Sequence, residues 1–136
     1  MTSRAVLDAS VVLKWFAGDE RHADLARRVG DAFETGHLTV LAPPLLRTEV
    51  LNVAGRSWTW DERPLLDLAE EIDGMGFAYS EPDLAEVARW TARGLTAYDA
   101  TYVALAEREG VPLITDDDQI VARASEIAAP LSNWSI

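Results

Sequence analysis

Short apolar runs alternate with longer stretches of helical spacing along the whole chain, and this alternation restricts the fold more than any other feature. Runs at residues 4–8, 38–42, 77–80 and 111–115 have the length of buried strands. Between them, apolar residues recur three and four positions apart, as in amphipathic helices. Strands that alternate with helices are joined by crossover connections, which produce a mostly parallel sheet. The sequence therefore predicts an α/β protein, a three-layer α/β/α sandwich with a mostly parallel sheet of four or five strands.

Several polar residues indicate where the predicted helices begin. Asp61 is expected to cap the helix that follows it, and Ser80 with Asp83 resembles a capping box that opens the next one. A final helix over residues 118–127 is expected to lead to an edge strand over 129–134. These boundaries depend on local signals alone.

Size and composition favour one domain. The chain has 136 residues, of which 49% are hydrophobic, and this is enough for one core and too little for two. Because no repeat or linker interrupts it, we expect a single domain over residues 1–136. The chain has no cysteine and two histidines, which excludes thiolate sites and argues against a histidine-rich zinc centre. A metal would therefore be held by oxygen atoms.

The charge and the absence of long apolar segments restrict the partners. No segment approaches the roughly 20 apolar residues that span a bilayer, and the N-terminus lacks a signal-peptide pattern, so we expect a cytoplasmic protein with no membrane partner. The net charge is −11, from 23 acidic and 12 basic residues. This charge argues against tight binding of nucleic acid through a basic surface.

Acidic side chains from four predicted elements fall near one edge of the sheet. Asp8 ends the first strand, an aspartate triplet at 116–118 follows a late strand, Glu49 lies in the second turn of one predicted helix, and Asp99 lies in the first turn of another. Ligands of such sheets bind beyond the carboxyl ends of the strands. A cluster of carboxylates is the kind of site that holds Mg²⁺ or Mn²⁺, ions that promote in-line displacement at phosphorus. The acids together favour a cation site.

Each acid also has a structural explanation. Asp8 could cap the helix after it, and Glu49 could be an exposed helical glutamate. Asp99 follows Thr96 at capping-box spacing, and the triplet could provide an N-cap with favourable helix-dipole charge. Four independent caps need not converge on one sheet edge, however, so the joint pattern favours the cation site.

Four sequence blocks make the chain similar to a known family. They are "VLDASVVLKWF", "PPLLRTEVLN", "LTAYDATYVALAE" and "PLITDDDQI", in this order and spread over nearly the whole chain. They resemble the PIN-domain ribonucleases, specifically the VapC-type toxins of bacterial toxin–antitoxin pairs. The resemblance implies a parallel sheet between helices and Mg²⁺- or Mn²⁺-dependent endonucleolytic cleavage of RNA. It also implies a homodimer that is inhibited by a small antitoxin.

The resemblance assigns the family's four acids to Asp8, Glu49, Asp99 and Asp117. Asp117 is selected within the triplet because the last block has the form T-x-D, followed after two intervening residues by an apolar residue. On this reading Asp8, Asp99 and Asp117 hold the principal metal, and Glu49 binds a second ion or orients the attacking water. Asp116 is either an auxiliary ligand or, preferentially, a solvated neighbour.

Other polar residues are expected to support these acids. Ser10 and Thr115 either hydrogen-bond the carboxylates or serve as local turn and cap groups. Asn52, one turn beyond the glutamate, is expected as a hydrogen-bonding neighbour. Lys14 is the only lysine, and it either contacts a phosphate or, preferentially, is a surface cation beside Trp15.

Two further pairs are candidates for contacts with RNA or a partner. Arg89 and Arg93 lie one turn apart and either contact the RNA backbone or are ordinary charges near a helix C-terminus. Trp58 and Trp60 flank a predicted corner between helices and either dock the antitoxin or a stacked base, or belong to the core.

Three alternative functions are open at this stage. A magnesium-dependent phosphatase needs a second aspartate two residues after the first, where this chain has Ser10. A receiver-like phosphoacceptor needs an acidic pair near the first strand and a lysine after a late strand, and neither is present. A catalytically inactive PIN-like scaffold would only bind a partner, and the presence of all four acids argues against it.

Overall fold

Five short strands form a parallel sheet in the computed structural model, which describes residues 2–17 and 21–134. The strands are β1 (Ser3–Leu7), β2 (Leu38–Ala42), β3 (Ala78–Tyr79), β4 (Leu113–Thr115) and β5 (Ala128–Pro130). Their order across the sheet is β3-β2-β1-β4-β5, and each neighbouring pair is parallel. The predicted α/β fold is confirmed.

Helices fill the connections between the strands and flank the sheet. They are α1 (Ala9–Val12), α2 (Ala23–Glu34), α3 (Leu45–Asn52), α4 (Glu62–Asp73), α5 (Leu84–Ala92), α6 (Ala97–Glu109) and α7 (Asp118–Arg123). Short irregular helical turns follow α1 over Leu13–Trp15, α3 over Val53–Ser57 and β5 over Leu131–Asn133. Among the helices of the described ranges, none is both long enough and apolar enough for a membrane crossing.

The middle of the sheet is the most deeply buried part of the fold. Ala5, Val6 and Leu7 of β1 are all buried, as are the three residues of β4. Such continuous burial is expected where helices cover a parallel sheet. Helix α6 packs against both strands, and Gly110 ends it in the left-handed conformation (φ 66°) that glycine adopts without strain. The chain then turns directly into β4.

The chain reverses its direction across the sheet between β1 and β4. From β1 it moves outward through β2 to β3, and then crosses to the other side of β1 to form β4 and β5. The crevice beyond the carboxyl ends of β1 and β4 is therefore a topological switch point, where open α/β sheets bind ligands. Asp8 follows β1 directly, and Asp116 and Asp117 follow β4.

One predicted helix start is wrong, and another lacks its predicted cap. Helix α5 begins after Asp83 rather than after Ser80. The reason is Pro82, which disfavours a helical backbone at the residue before it. Asp61 does precede α4 as predicted, but the side chains of Asp61 and Asp83 make no capping hydrogen bond.

The last helix is also shorter than predicted. Helix α7 begins at Asp118 as expected but ends at Arg123, four residues before the predicted end at 127. The Ile127 carbonyl accepts a hydrogen bond from the Leu113 N–H at 3.1 Å. Ile127 therefore pairs with β4 directly before β5 begins, and it is not part of the helix. Sheet pairing thus takes precedence over helix continuation. Strand β5 lies at the predicted edge of the sheet, but it covers Ala128–Pro130 rather than residues 129–134, because a helical turn over Leu131–Asn133 follows it.

Candidate active site

Asp8 is a buried carboxylate with both oxygens hydrogen-bonded. Its Oδ1 accepts from Ser10 Oγ at 2.6 Å, and its Oδ2 accepts from Thr115 Oγ1 at 2.5 Å. Burial raises the pKa of the Asp8 carboxyl to about 6, although the two hydrogen bonds favour the ionised form. The side chain makes no capping bond to α1, so the capping explanation of Asp8 is wrong.

The connection after β4 fixes the two hydroxyl groups that hold Asp8. Ser10 Oγ accepts a hydrogen bond from the Asp116 N–H at 3.0 Å, and Thr115 Oγ1 accepts one from the Asp117 N–H, also at 3.0 Å. Each hydroxyl therefore accepts from the backbone and donates to the carboxylate. The predicted hydrogen bonds from Ser10 and Thr115 to a carboxylate are present.

Glu49 is a half-buried carboxylate on α3 that lacks full hydrogen bonding. Its Oε1 is buried and has no hydrogen-bond partner, and the same is true of the Tyr102 hydroxyl. The two groups are close enough to affect each other's pKa but do not form a well-aligned hydrogen bond. Burial, together with the charges of Asp99 and Asp8, raises the pKa of Glu49 to about 7. The explanation of Glu49 as an exposed helical residue is wrong.

Asp99 occupies the first turn of α6. The Thr96 hydroxyl accepts a hydrogen bond from the Asp99 N–H at 3.0 Å, so the predicted capping interaction exists. The carboxyl is half-buried, and burial followed by the charge of Asp117 raises its pKa. Asp99 therefore has both a structural role through its backbone and an acidic side chain near the other acids.

Asp117 caps α7. One oxygen, Oδ1, accepts hydrogen bonds from the N–H groups of Gln119 at 2.8 Å and Ile120 at 3.1 Å. These bonds satisfy orphan donors of the first helical turn. The capping explanation of the triplet is therefore correct for Asp117, and its proximity to Asp8 and Asp99 is seen in the raised pKa values of those two acids.

The four acids influence one another without closing into a ligand cage. In the part of the chain that the structure describes, no three carboxylate or imidazole groups are arranged to hold a metal ion as they stand. Binding by three of these acids would require side chains to turn towards the ion. The oxygen-only donor set and the unpartnered Oε1 of Glu49 fit a hard divalent cation, which would relieve the mutual repulsion.

Asp116 does not behave as a solvated neighbour. Its Oδ2 lies 3.1 Å from Lys14 Nζ and 3.5 Å from Arg21 Nε, and its Oδ1 lies 2.8 Å from His22 Nδ1. Both oxygens are thus engaged by other side chains, so the interpretation of Asp116 as a solvated residue is wrong. The preferred interpretation of Lys14 as a surface cation is also wrong, because its ammonium group pairs with Asp116 and only 8% of its side chain is exposed.

A groove lies beside the two helical acids. It has a volume of about 510 Å³ and is lined by Leu45, Thr48, Glu49, Asn52, Val53, Tyr98 and Asp99. Asn52 is exposed here, one turn from Glu49 as predicted. Tyr98 is 65% exposed, which is unusual for a large aromatic side chain. The groove offers both polar and aromatic contacts next to the acids.

The two arginines that were predicted to contact RNA interact with other groups of the protein. Arg89 forms an ion pair with Glu86 on its own helix. Arg93 lies 3.7 Å from Glu126 and stacks over the Trp90 ring at 4.4 Å from its centroid. Arg89 and Arg93 are thus ordinary helix-end charges in this structure, and an RNA contact stays a prediction.

The predicted tryptophan corner is only partly exposed. Trp58 and Trp60 pack against each other, with ring centroids 5.4 Å apart, and against the edge of the core. Thr59 between them has a positive φ of 56°, a conformation that is uncommon for a threonine. Partner binding by this pair stays a prediction.

Three neighbours of the site were not identified from the sequence. Tyr98 directly precedes Asp99, and Tyr102 lies three residues after it, a spacing that places side chains on one face of a helix. That spacing was a usable signal. His22 approaches Asp116 across 94 residues of sequence, and no local pattern indicates such a contact.

Comparison with known proteins identifies the family to which this fold belongs. The PIN domain family model matches residues 5–126, and the chain therefore belongs to the PIN domain family. Ribonuclease VapC3 of Pyrobaculum aerophilum is 30% identical over 138 residues, which cover 93% of this chain and 99% of that protein. The predicted family is confirmed.

Solved structures agree on the fold. VapC20 of Mycobacterium tuberculosis, described as a sarcin–ricin loop cleaving toxin, has a TM-score of 0.67 at 14% identity, covering 87% of this chain and 93% of that one. FitAcB of Neisseria gonorrhoeae has a TM-score of 0.68 at 16% identity, covering 97% and 99%. At these identities the similarity establishes the fold alone.

Proposed function

We propose that this protein is a divalent-metal-dependent endoribonuclease and the toxin of a toxin–antitoxin pair. Family membership and the 30% identity to a protein named ribonuclease VapC3 support the activity. The observation that carries the proposal is the proximity of Asp8, Glu49, Asp99 and Asp117 near the switch point, where burial and the charges of neighbouring acids raise the pKa values of Asp8, Glu49 and Asp99. Mg²⁺ or Mn²⁺ is the cofactor that such an oxygen site selects.

Asp8, Asp99 and Asp117 would hold the principal ion. A bound divalent ion activates water and stabilises the negative charge that develops at phosphorus during in-line displacement. Ser10 and Thr115 keep both oxygens of Asp8 oriented, which limits the reorganisation that metal binding demands. Asp117 offers its second oxygen, since Oδ1 serves the cap of α7.

Glu49 orients the attacking water and accepts its proton, or holds a second ion. In the metal-free protein the pKa of Glu49 is about 7, and a divalent ion beside it would favour the ionised carboxylate, the form that can accept a proton. Its unpartnered Oε1 can accept a hydrogen bond from water without breaking an existing one. The neighbouring Tyr102 hydroxyl can donate to Glu49 or to a substrate oxygen.

The RNA substrate enters through the groove beside Glu49 and Asp99. Tyr98 provides an exposed ring on which an unpaired base can stack, and Asn52 and Thr48 can hydrogen-bond a base edge. The net charge of −11 disfavours binding of bulk RNA, so we expect weak non-specific binding and a small set of structured targets. Lys14 does not contact phosphate, since its ammonium group is paired with Asp116.

We also propose the partners that the family resemblance implies. They are a second copy of the chain in a homodimer and a small antitoxin that covers the active site. The corner formed by Trp58 and Trp60 is a candidate contact for the antitoxin. A cytoplasmic location would give such a toxin access to RNA.

Cleavage of total cellular RNA by purified, antitoxin-free protein tests the activity and the site together. We expect cleavage with MgCl₂, none with EDTA, and none with Asp99→Asn. Asp31→Asn is the matched control, because Asp31 is an exposed aspartate on α2. It should cleave like the wild type.

Two outcomes would contradict the proposal in different ways. Intact RNA in every reaction of folded protein would favour an inactive partner-binding scaffold. Cleavage by Asp99→Asn at the wild-type rate would leave the activity in place and refute the assigned acids.

A further inference from the structure

The only lysine of the chain lies in an ion pair beside the active site. Lys14 Nζ is 3.1 Å from Asp116 Oδ2, and the two side chains are 8% and 9% exposed. We call these two residues the buried ion pair. Such a pair adds little net stability, because desolvation offsets much of the attraction, whereas the loss of one partner is costly. Its presence next to the acids therefore needs an explanation other than stability.

Further side chains hold the same carboxylate. His22 Nδ1 donates to Asp116 Oδ1 at 2.8 Å, and Arg21 lies near Oδ2 at 3.5 Å from the more exposed side. Burial by itself would raise the pKa of Asp116, but hydrogen bonds and charges from His22 and Lys14 outweigh it and lower the pKa. Both oxygens of Asp116 are thus engaged by cationic or ring N–H groups, and its carboxylate has a fixed orientation.

The backbone that carries Asp116 is connected to both oxygens of Asp8 through two hydroxyl groups. The Asp116 N–H donates to Ser10 Oγ, which donates to Asp8 Oδ1. The next amide, that of Asp117, donates to Thr115 Oγ1, which donates to Asp8 Oδ2. Two successive amides therefore orient the two hydroxyls, and the side chain between them is the one that Lys14 holds.

We propose that Lys14 and Asp116 are positioning residues of the active site. Lys14 fixes the connection over residues 115–117, so that both hydroxyls donate to Asp8 and Asp117 stays beside it. Lys14 also neutralises Asp116, which keeps this carboxylate from competing for the metal. The inference rests on the proposed metal site and adds a role for two residues that do not touch the substrate.

Titration of metal-free protein with MnCl₂ by isothermal calorimetry tests this role. Lys14→Met leaves Asp116 without its buried cation, and Asp116→Asn leaves Lys14 without its carboxylate. We expect each change to weaken Mn²⁺ binding by about tenfold or more, as does the loss of groups that orient metal ligands. The double variant removes the unpaired buried charge that each single variant leaves, so we expect it to bind Mn²⁺ more tightly than either single variant but less tightly than the wild type.

Arg4→Met is the matched control. Arg4 pairs with Glu109 at 3.3 Å, is largely exposed, and lies at the opposite end of β1 from Asp8. Loss of this pair should leave Mn²⁺ affinity unchanged, since exposed pairs contribute little.

Two results of the titration would overturn the proposal. If Asp116 is itself a metal ligand, Lys14→Met will bind Mn²⁺ as tightly as the wild type or more tightly, and the double variant will be no better than Asp116→Asn. If the pair only supports the fold, the melting temperature will fall in both single variants while the Mn²⁺ affinity of the folded protein stays at the wild-type value.

Hydrogen exchange of the Asp116 and Asp117 amides decides the proposal without a metal. In Lys14→Met, measured by NMR with EDTA present, we expect these two amides to exchange at least about tenfold faster than the change in global stability explains. Unchanged relative rates would overturn the positioning role. If the wild type binds no Mn²⁺, the proposed metal dependence fails, and the exchange rates still decide whether Lys14 holds the connection.

Discussion

The two halves of the active site differ in how completely their polar atoms are hydrogen-bonded. In the strand half, formed by Asp8 and Asp117 at the ends of β1 and β4, both oxygens of Asp8 and one of Asp117 accept hydrogen bonds. In the helix half, formed by Glu49 and Asp99, a buried oxygen of Glu49 and the Tyr102 hydroxyl lack partners. The fold itself supplies hydrogen bonds to three of the four carboxylate oxygens of the strand half, whereas the buried polar atoms of the helix half lack partners within the fold.

The largest effect is expected for Asp8→Asn, which tests whether the strand half serves function or stability. We expect cleavage to fall by at least about a hundredfold, since a metal ligand is lost. The free energy of unfolding at pH 7 should rise, because the variant removes a buried negative charge. The pKa of about 6 indicates that this charge costs the folded state up to roughly 3 kcal/mol. Cleavage assays and urea unfolding measure the two effects. A fall in both quantities would show that Asp8 is mainly structural.

The pH dependence of stability compares Asp8 of the strand half with Glu49 of the helix half. The folded pKa values of Asp8 and Glu49, about 6 and about 7, lie above the ordinary 3.8 and 4.5, so the folded state binds more protons between these limits. Stability of the metal-free protein should therefore rise as the pH falls through 7 and 6, and level off below about pH 4. Thermal unfolding in EDTA measures the trend.

The control for this trend is the double variant Asp8→Asn with Glu49→Gln, which should lose it. Saturating Mg²⁺ should flatten it in the wild type, because the ion favours the ionised carboxylates. A wild-type stability that falls between pH 7 and pH 5 would contradict the assigned burial of both acids.

Thr115→Val tests how firmly the strand half is held. Thr115 is fully buried, and the change removes the donor to Asp8 and the acceptor of the Asp117 amide. We expect a loss of about 1–3 kcal/mol in unfolding free energy, the usual cost of unsatisfied buried groups. Thr96→Val, which removes the cap of α6, should cost about 1 kcal/mol and serves as the comparison. Equal losses of Mn²⁺ affinity in both variants would contradict a specific role for Thr115.

The smallest effect on the fold is expected for Tyr98→Ala in the groove of the helix half. Because Tyr98 is largely exposed, stability should change by no more than about 0.5 kcal/mol. Affinity for a short single-stranded RNA should fall by about fivefold or more if a base stacks on the ring. Leu84→Ala, at an 80% exposed residue of α5, is the control. Equal RNA affinity in the wild type and Tyr98→Ala would exclude the stacking contact.

Local sequence signals were sufficient for the fold class, and the family resemblance then selected the four acids. Strand-length apolar runs, helical spacing and the T-x-D pattern identify which residue follows which strand, and the parallel topology then brings strand ends to one edge. Asp8 follows from this reasoning because it is adjacent to its strand, whereas Asp117 was selected over its neighbour by the T-x-D pattern of the family that the chain resembles. The predicted start of α5 at Ser80 failed, since the effect of Pro82 on its neighbour outweighed the capping pattern.

Contacts between distant segments were decided by the tertiary structure alone. Spacing ranked Asp117 above Asp116, but only the fold brings Lys14 and His22 to the Asp116 carboxylate, the latter across 94 residues. Burial of Glu49 and its raised pKa likewise arise from neighbours on other elements. A sequence determines which groups end a strand, whereas desolvation and pairing depend on everything packed around them, and these decide whether an acid is a ligand, a cap or a paired support.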